Sequence, residues 1–222
     1  MRTARVARRA LPASAAVALV TVAACAPVPG PTTEPAPAVV TAQNDTTGRN
    51  LVPPGYGTLR QDDISLHIDA GTVLVRALPL DEALLRLLTP DSYRALRDLK
   101  ESDRARITAI SRRYGGRPVS VWLVSFYGVE PAARFTPGDL IVMSGGRDFR
   151  PYDILPLTVG FGEERLKQRE TQSAVYVYDG DVQVEQPVSI TYEGSVDDSW
   201  EDTLQRIERE RAMVRARIGK PD

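Results

Sequence analysis

From Ile64 the chain alternates. Ile64, Leu66 and Ile68 are apolar, and Ser65, His67 and Asp69 between them are polar. A period of two marks a strand with one buried face. Asp69-Ala70-Gly71 offers turn chemistry and Val73 to Leu78 is a second apolar run, so a hairpin is predicted here. The period then lengthens. Between Asp81 and Arg113, Leu84, Leu85, Leu87 and Leu88 form one apolar side, and Tyr93, Leu96 and Leu99 recur at helical spacing. Asp81 is placed to cap the first piece. Thr89-Pro90 restarts the helix with a cap and a first-turn proline, and Gly115-Gly116 stops it.

Beyond this helical insertion (81–113) the pattern is strand-like to residue 197. Val119 to Tyr127 is apolar on both faces, which suits a central strand. Leu140 to Met143 is short and is followed by Gly145-Gly146. Tyr152 to Val159 contains Pro156, which belongs off a central ladder. Ala174 to Tyr178, the Asp179-Gly180 turn, and Val182 to Tyr192 read as a hairpin, with Pro187 marking a bulge or an edge. About seven short strands with one helical insertion predict a mainly β fold with helices, a two-sheet β-sandwich over 55–197. Trp122 falls in the third strand, and in architecture the pattern resembles immunoglobulin-like β-sandwiches, which often bury a Trp there. Cys25 is the only cysteine, so the inter-sheet disulfide of many such domains has no counterpart.

The last segment, 198–218, is a predicted helix. Ser199 with Asp202 approximates a capping box. Trp200, Leu204, Ile207, Val214 and Ile218 make a narrow stripe, interrupted by the charge of Arg211. So narrow a seam suits a helix–helix contact, whereas a helix lying on its own domain often has a broader apolar face. The expectation is a split. The half from Trp200 to Ile207 docks on the sheet, and Arg211, Val214 and Ile218 project toward another envelope protein or a second copy. The alternative is that the whole helix packs back on the sandwich.

The N-terminus has a different texture. Arg2, Arg5, Arg8 and Arg9 precede a small and apolar run from Ala10 to Ala24, with no acid before Glu34. A positive end and a short apolar run read as a secretory signal, 1–24. The run is shorter than the roughly 20 residues a membrane span needs. It ends Val22-Ala23-Ala24-Cys25, which resembles the lipobox of bacterial lipoproteins. The resemblance implies cleavage before Cys25, lipidation of its thiol, and an anchor in a membrane of the cell envelope. If the cell has two membranes, Ala26, in place of the Asp that retains lipoproteins at the inner one, implies the outer. Residues 25–54 are rich in Pro and Thr without apolar period and are expected to form an extended tether.

Composition narrows the chemistry. The chain has 222 residues, 42% hydrophobic and 26% charged, with net charge -1, which suits a globular domain and gives no footprint for nucleic acid. Removing four arginines with the signal leaves 24 basic against 29 acidic residues, about -5, a net charge that gives the protein no reason to lie flat on an anionic membrane and implies that it stands off the bilayer on its tether. With one Cys and one His, no zinc site of those ligands can be built. His67 alternates with apolar strand positions and is expected to be a surface or half-buried strand residue. No Gly-x-Ser-x-Gly elbow or phosphate loop occurs. Asp179, Asp181, Asp197, Asp198, Glu201 and Asp202 lack the spacing of a calcium loop. No metal or cofactor is expected. Tyr176 and Tyr178 share one face of a strand, either as ligand-facing aromatics for a sugar or peptide or as half-buried strand residues. The reading is a non-enzymatic binding or assembly module on the envelope. The alternatives are an enzyme acting on envelope polymers and a purely structural protein.

Overall fold

The computed structural model describes residues 51–162 and 165–219. The signal, Cys25 and the tether up to residue 50 lie outside the described residues. The expected hairpin is present as β1 (Leu66–Asp69) and β2 (Val73–Pro79), paired antiparallel with Ile68 opposite Val75. A short 3-10 turn, Gln61–Ile64, precedes it. The insertion forms α1 (Glu82–Leu85), α2 (Pro90–Ser102) and α3 (Arg104–Arg113). The Asp81 carboxylate accepts the Ala83 and Leu84 amides at 2.8 and 3.4 Å, so it caps as its position predicts. Thr89 occupies the next cap position, but its hydroxyl is directed to Ser92 Oγ at 3.0 Å instead of to a backbone amide.

Then follow β3 (Val119–Gly128), β4 (Ile141–Ser144), β5 (Arg147–Phe149), β6 (Asp153–Pro156), β7 (Thr171–Asp179), β8 (Val188–Tyr192), β9 (Ser195–Asp197) and α4 (Trp200–Ile218). Nine strands stand among the described residues where about seven were expected, the additions being short. They form two antiparallel sheets, β1-β2-β3-β7-β6 and β5-β4-β8-β9, a two-sheet β-sandwich. β3 is central and β6, with Pro156, is an edge, as the sequence predicts. Gly145 and Gly146, both at positive φ (57° and 74°), form the tight β4–β5 turn. The expected hairpin around Asp179-Gly180 is not one. β7 pairs with β3 and β6, and β8 pairs with β4 and β9, so this turn passes the chain from one sheet to the other.

Between the sheets lies an aromatic core. Trp122, fully buried, meets Trp200 of α4 at 6.5 Å and Tyr178 at 6.2 Å. Phe126 stacks on Phe135 at 4.2 Å and meets Tyr192 edge-on. The sheets also meet at one edge, where Asp197 Oδ2 of β9 accepts the His67 amide of β1 at 2.6 Å. Asp197 Oδ1 takes the Ser199 amide at 2.9 Å, and no Ser199 side-chain cap forms, so the capping box expected at α4 is replaced by an aspartate two residues earlier.

Two boundaries move. Val52 is buried in the core, and its carbonyl accepts Arg86 Nη1 at 3.3 Å. The folded unit therefore begins by residue 51, not at Gly55. α4 also stays on the domain along most of its length. Arg211 is 3% exposed and Val214 is buried, so neither projects; this corrects the expected split of the helix. The reason is a second wall that spacing does not reveal. The 56–58 segment runs beside the later turns of α4, with Glu210 bonded to Thr58 and Arg217 Nη1 to the Tyr56 carbonyl. Ile218 is exposed. Among the described residues, no helix is long and apolar enough to cross a membrane.

Candidate functional site

The five-stranded sheet has an inner face, on the aromatic core, and an outer face. Register aligns the outer face in rows. Leu78, Leu123 and Val175 form one row, with Leu155 of β6 beside them. These four are buried although they face away from the second sheet. The helical insertion covers them. Arg113 pairs with Asp153 of β6 at 3.3 Å, Tyr114 stacks on Tyr152 at 4.0 Å, and Lys100 Nζ reaches the Leu80 carbonyl at 2.6 Å.

The next two rows are uncovered. One holds His67, Arg76, Ser125 and Ser173; the other holds Asp69, Leu74, Tyr127 and Thr171. Each is half-buried or exposed. Here the helical layer stops, leaving a trough of about 510 Å³ lined by His67, Asp69, Leu74, Arg76, Ser125 and Tyr127, among others. Its floor is a rigid ladder, so side-chain positions are set by strand register. Arg76 Nη1 is held by Asp62 Oδ1 at 2.8 Å, and the Ser125 and Ser173 hydroxyls are 2.8 Å apart. Asp69 Oδ1 accepts the Gly71 amide at 2.8 Å, which tightens the β1–β2 turn. The imidazole of His67 is exposed and makes no hydrogen bond among the described residues. The trough thus combines a phenol ring, an apolar side chain, a guanidinium, an imidazole and hydroxyls on one surface. Such a set recognises an extended ligand by ring contact and hydrogen bonds.

The sequence places His67 on a strand and does not single out the rest. A signal was present. Along β2 the outward positions run Leu78, Arg76, Leu74; along β3, Leu123, Ser125, Tyr127; along β7, Val175, Ser173, Thr171. In all three the change from apolar to polar falls at the same register, which marks where the covering layer ends. Reading it requires knowing that the strands are neighbours.

Tyr176 and Tyr178 are not ligand-facing, which corrects that expectation. They do share a face, but it is the inner one, and both are fully buried. Tyr176 donates its hydroxyl to the Pro137 carbonyl at 2.9 Å. The Tyr178 hydroxyl has no partner among the described residues. Desolvation pushes both phenols above their ordinary range.

Arg211, expected on a partner surface, is itself buried; its Nη1 donates to Glu208 Oε1, its Nη2 lies 3.9 Å from Glu185 Oε1, and its Nε has no partner among the described residues. The acidic residues near the C-terminus are engaged locally: Asp179 by Tyr152 and the Asp181 amide, Asp197 by two amides. Among the described residues no three acidic, His or Cys side chains converge as a metal site would require.

No protein-family model, no curated protein and no solved structure matches the chain.

Proposed function

We propose that this chain is an exported lipoprotein, anchored through Cys25 to a membrane of the cell envelope, the outer one if the cell has two. Its β-sandwich serves as a non-enzymatic binding or assembly module. Val22-Ala23-Ala24-Cys25 after a positive-apolar leader supports the anchor. Two or more acyl chains are needed for a firm hold on a bilayer. The observation that carries the binding reading is the outer trough. Three adjacent strands change together from apolar to polar, so the helical layer ends there and leaves Leu74 and Tyr127 beside His67 and Arg76.

Two experiments test this. Cells fed a labelled fatty acid should label the wild-type protein and not Cys25→Ser; equal label in both defeats the anchor. A photo-crosslinking residue placed at Leu74 or Thr171 in living cells should capture one discrete envelope component. The same residue at Val196, exposed on β9, should not. Identical capture at all three positions, or none at any, defeats the trough as the binding face.

A further inference from the structure

Charge is unevenly spread along the folded chain. Residues 90–117 carry eight basic side chains (seven Arg and Lys100) against four acids, whereas the chain from Cys25 onward is about -5. From Arg104 to Arg117 there are five arginines and no acid. All five are exposed. α3 buries Ile107 and Ile110 in the core, so the opposite crest is Ala105, Thr108, Ala109 and Arg112. Arg104 lies on one flank, and Arg106 and Arg113 on the other. Beside the crest runs a shallow groove of about 490 Å³, with Glu101 and Ser102 at one end, Arg104 and Arg112 along it, and Ala105 and Thr108 between the two arginines. The two arginines are eight residues apart, about 12 Å along the helix.

The local acids offset only part of this face. Arg104 meets Glu101 at 3.0 Å, with both side chains more than half exposed, an ion pair readily exchanged for another anion. Arg106 meets Asp103 at 2.9 Å and Arg113 meets Asp153 at 3.3 Å. Arg112 is in no ion pair among the described residues.

We infer that the outer face of α3 docks on an anionic lipid bilayer, with the groove between Arg104 and Arg112 receiving lipid phosphate. The inference rests on the anchoring reading for its location: the anchor brings the domain to a bilayer, and this face sets which side turns toward it. Cys25 is 26 residues before Leu51, a stretch that spans at most about 90 Å, so the anchor leaves the domain free to turn and the charged face decides which side meets the bilayer. A bilayer also fits the surface better than a globular partner does. Small side chains form the crest, and the arginines around it are long enough to reach a phosphate plane. Each basic side chain near such a surface strengthens binding about fivefold.

The test uses residues 25–222 carrying Cys25→Ser, so that no acyl chain contributes. Sedimentation is measured with vesicles of phosphatidylcholine alone and of phosphatidylcholine and phosphatidylglycerol in equal parts. Binding is expected only to the mixed vesicles. It should disappear at about 1 M salt, where the screening length is about 3 Å. Arg104→Glu with Arg112→Glu should lower it by about 25-fold or more. Arg209→Glu with Arg215→Glu on α4 makes the same change in net charge and should lower it by less than either α3 arginine contributes. Equal binding to both vesicles, no binding to either, or equal losses in the two double variants overturns the inference. The last result would point to whole-molecule charge, and retention of binding in the α3 variant also overturns the inference, since another face then carries the contact. Failure here leaves Cys25 acylation untouched, and failure of acylation in cells leaves this binding untouched.

Discussion

The carboxylate of Glu210, 1% exposed, accepts both the amide and the hydroxyl of Thr58 at 2.9 Å each, and Arg217 Nη1 at 3.0 Å. One side chain of the C-terminal helix thus holds the segment that precedes β1. A carboxylate that has lost water is stabilised by donors on all sides, and removing it strands the Thr58 amide and leaves Arg217 short of a partner.

Glu210→Ala should therefore cost about 2–3 kcal/mol. Truncation after Arg209, which also deletes buried Val214, should cost more or unfold the domain. Urea denaturation of both variants measures this. If truncation leaves the midpoint unchanged, the later turns of α4 are not part of the folded unit and its projection toward a partner is restored.

The same contact makes the 51–60 segment part of the domain. A chain beginning at Gly55 loses Val52, whose side chain is buried, while one beginning at Leu51 keeps it. The loss of a buried Val is worth about 1.5–3 kcal/mol. The shorter chain should melt about 4–10 °C lower. Gly57→Ala in the full chain should be at least as damaging. A Cβ there would sit 2.1 Å from the Leu87 carbonyl carbon and oxygen, and neither backbone can retreat while Leu59 and Leu87 remain bonded. Equal melting of all these chains would mean the segment contributes nothing.

These contacts show what was and was not legible. The strand alternation at 64–68, the amphipathic insertion with its Asp81 cap, and the terminal helix all depend on neighbours within a few residues, so local pattern reveals them. Tyr176 and Tyr178 were correctly placed on one face of one strand. That this face is the inner one depends on β3 and β6 flanking β7 and on a second sheet lying over it, which is information distributed over the chain. Arg211 failed for a related reason. A charge on an apolar stripe reads as a surface position, yet the Arg211 side chain is buried, with the exposed carboxylates of Glu208 and Glu185 reaching its guanidinium from the surface. The trough is the plainest case. Its residues come from four strands and none carries a motif.

The Tyr152–Asp179 contact makes a pH prediction. The Tyr152 hydroxyl donates to Asp179 Oδ2. That bond to the carboxylate is the main cause raising the phenol from its ordinary 10.0 to about 12, with desolvation second. The same bond, with the Asp181 amide, holds the Asp179 carboxyl below its ordinary 3.8. The folded state thus favours protonated phenol and ionised carboxylate. The stability from the phenol is fully present below about pH 10 and is lost as pH rises through about 12. That from the carboxylate is present above about pH 4 and is lost as pH falls through its lowered value. The ultraviolet phenolate difference between wild type and Tyr152→Phe should show one group titrating near 12. In Asp179→Asn it should return toward 10.0. A Tyr152 that titrates at the ordinary value in the wild type would show that the bond does not persist in solution.

Tyr176 and Tyr178 supply a prediction of opposite signs. They are two residues apart on one buried face, with rings stacked at 6.2 Å, so their apolar surroundings are alike. Their hydroxyls are not. Tyr176 gives its proton to the Pro137 carbonyl at 2.9 Å, across to the loop before β4. Tyr178 holds a desolvated hydroxyl with nothing to bond among the described residues. Replacing each by Phe keeps the ring and its contacts with Trp122 and Phe161 and removes only the oxygen. Tyr176→Phe breaks a hydrogen bond and should destabilise by about 0.5–1.5 kcal/mol. Tyr178→Phe removes a polar group that burial penalises without return, and should be neutral or stabilising by about 1 kcal/mol. For a domain of this length the two melting temperatures should separate by about 2–8 °C. Neither variant should change crosslinking through Leu74, since both rings lie on the opposite face of the sheet from the trough. If Tyr178→Phe destabilises as much as Tyr176→Phe, the Tyr178 hydroxyl has a partner in solution, and an ordered water in the core is the one that fits.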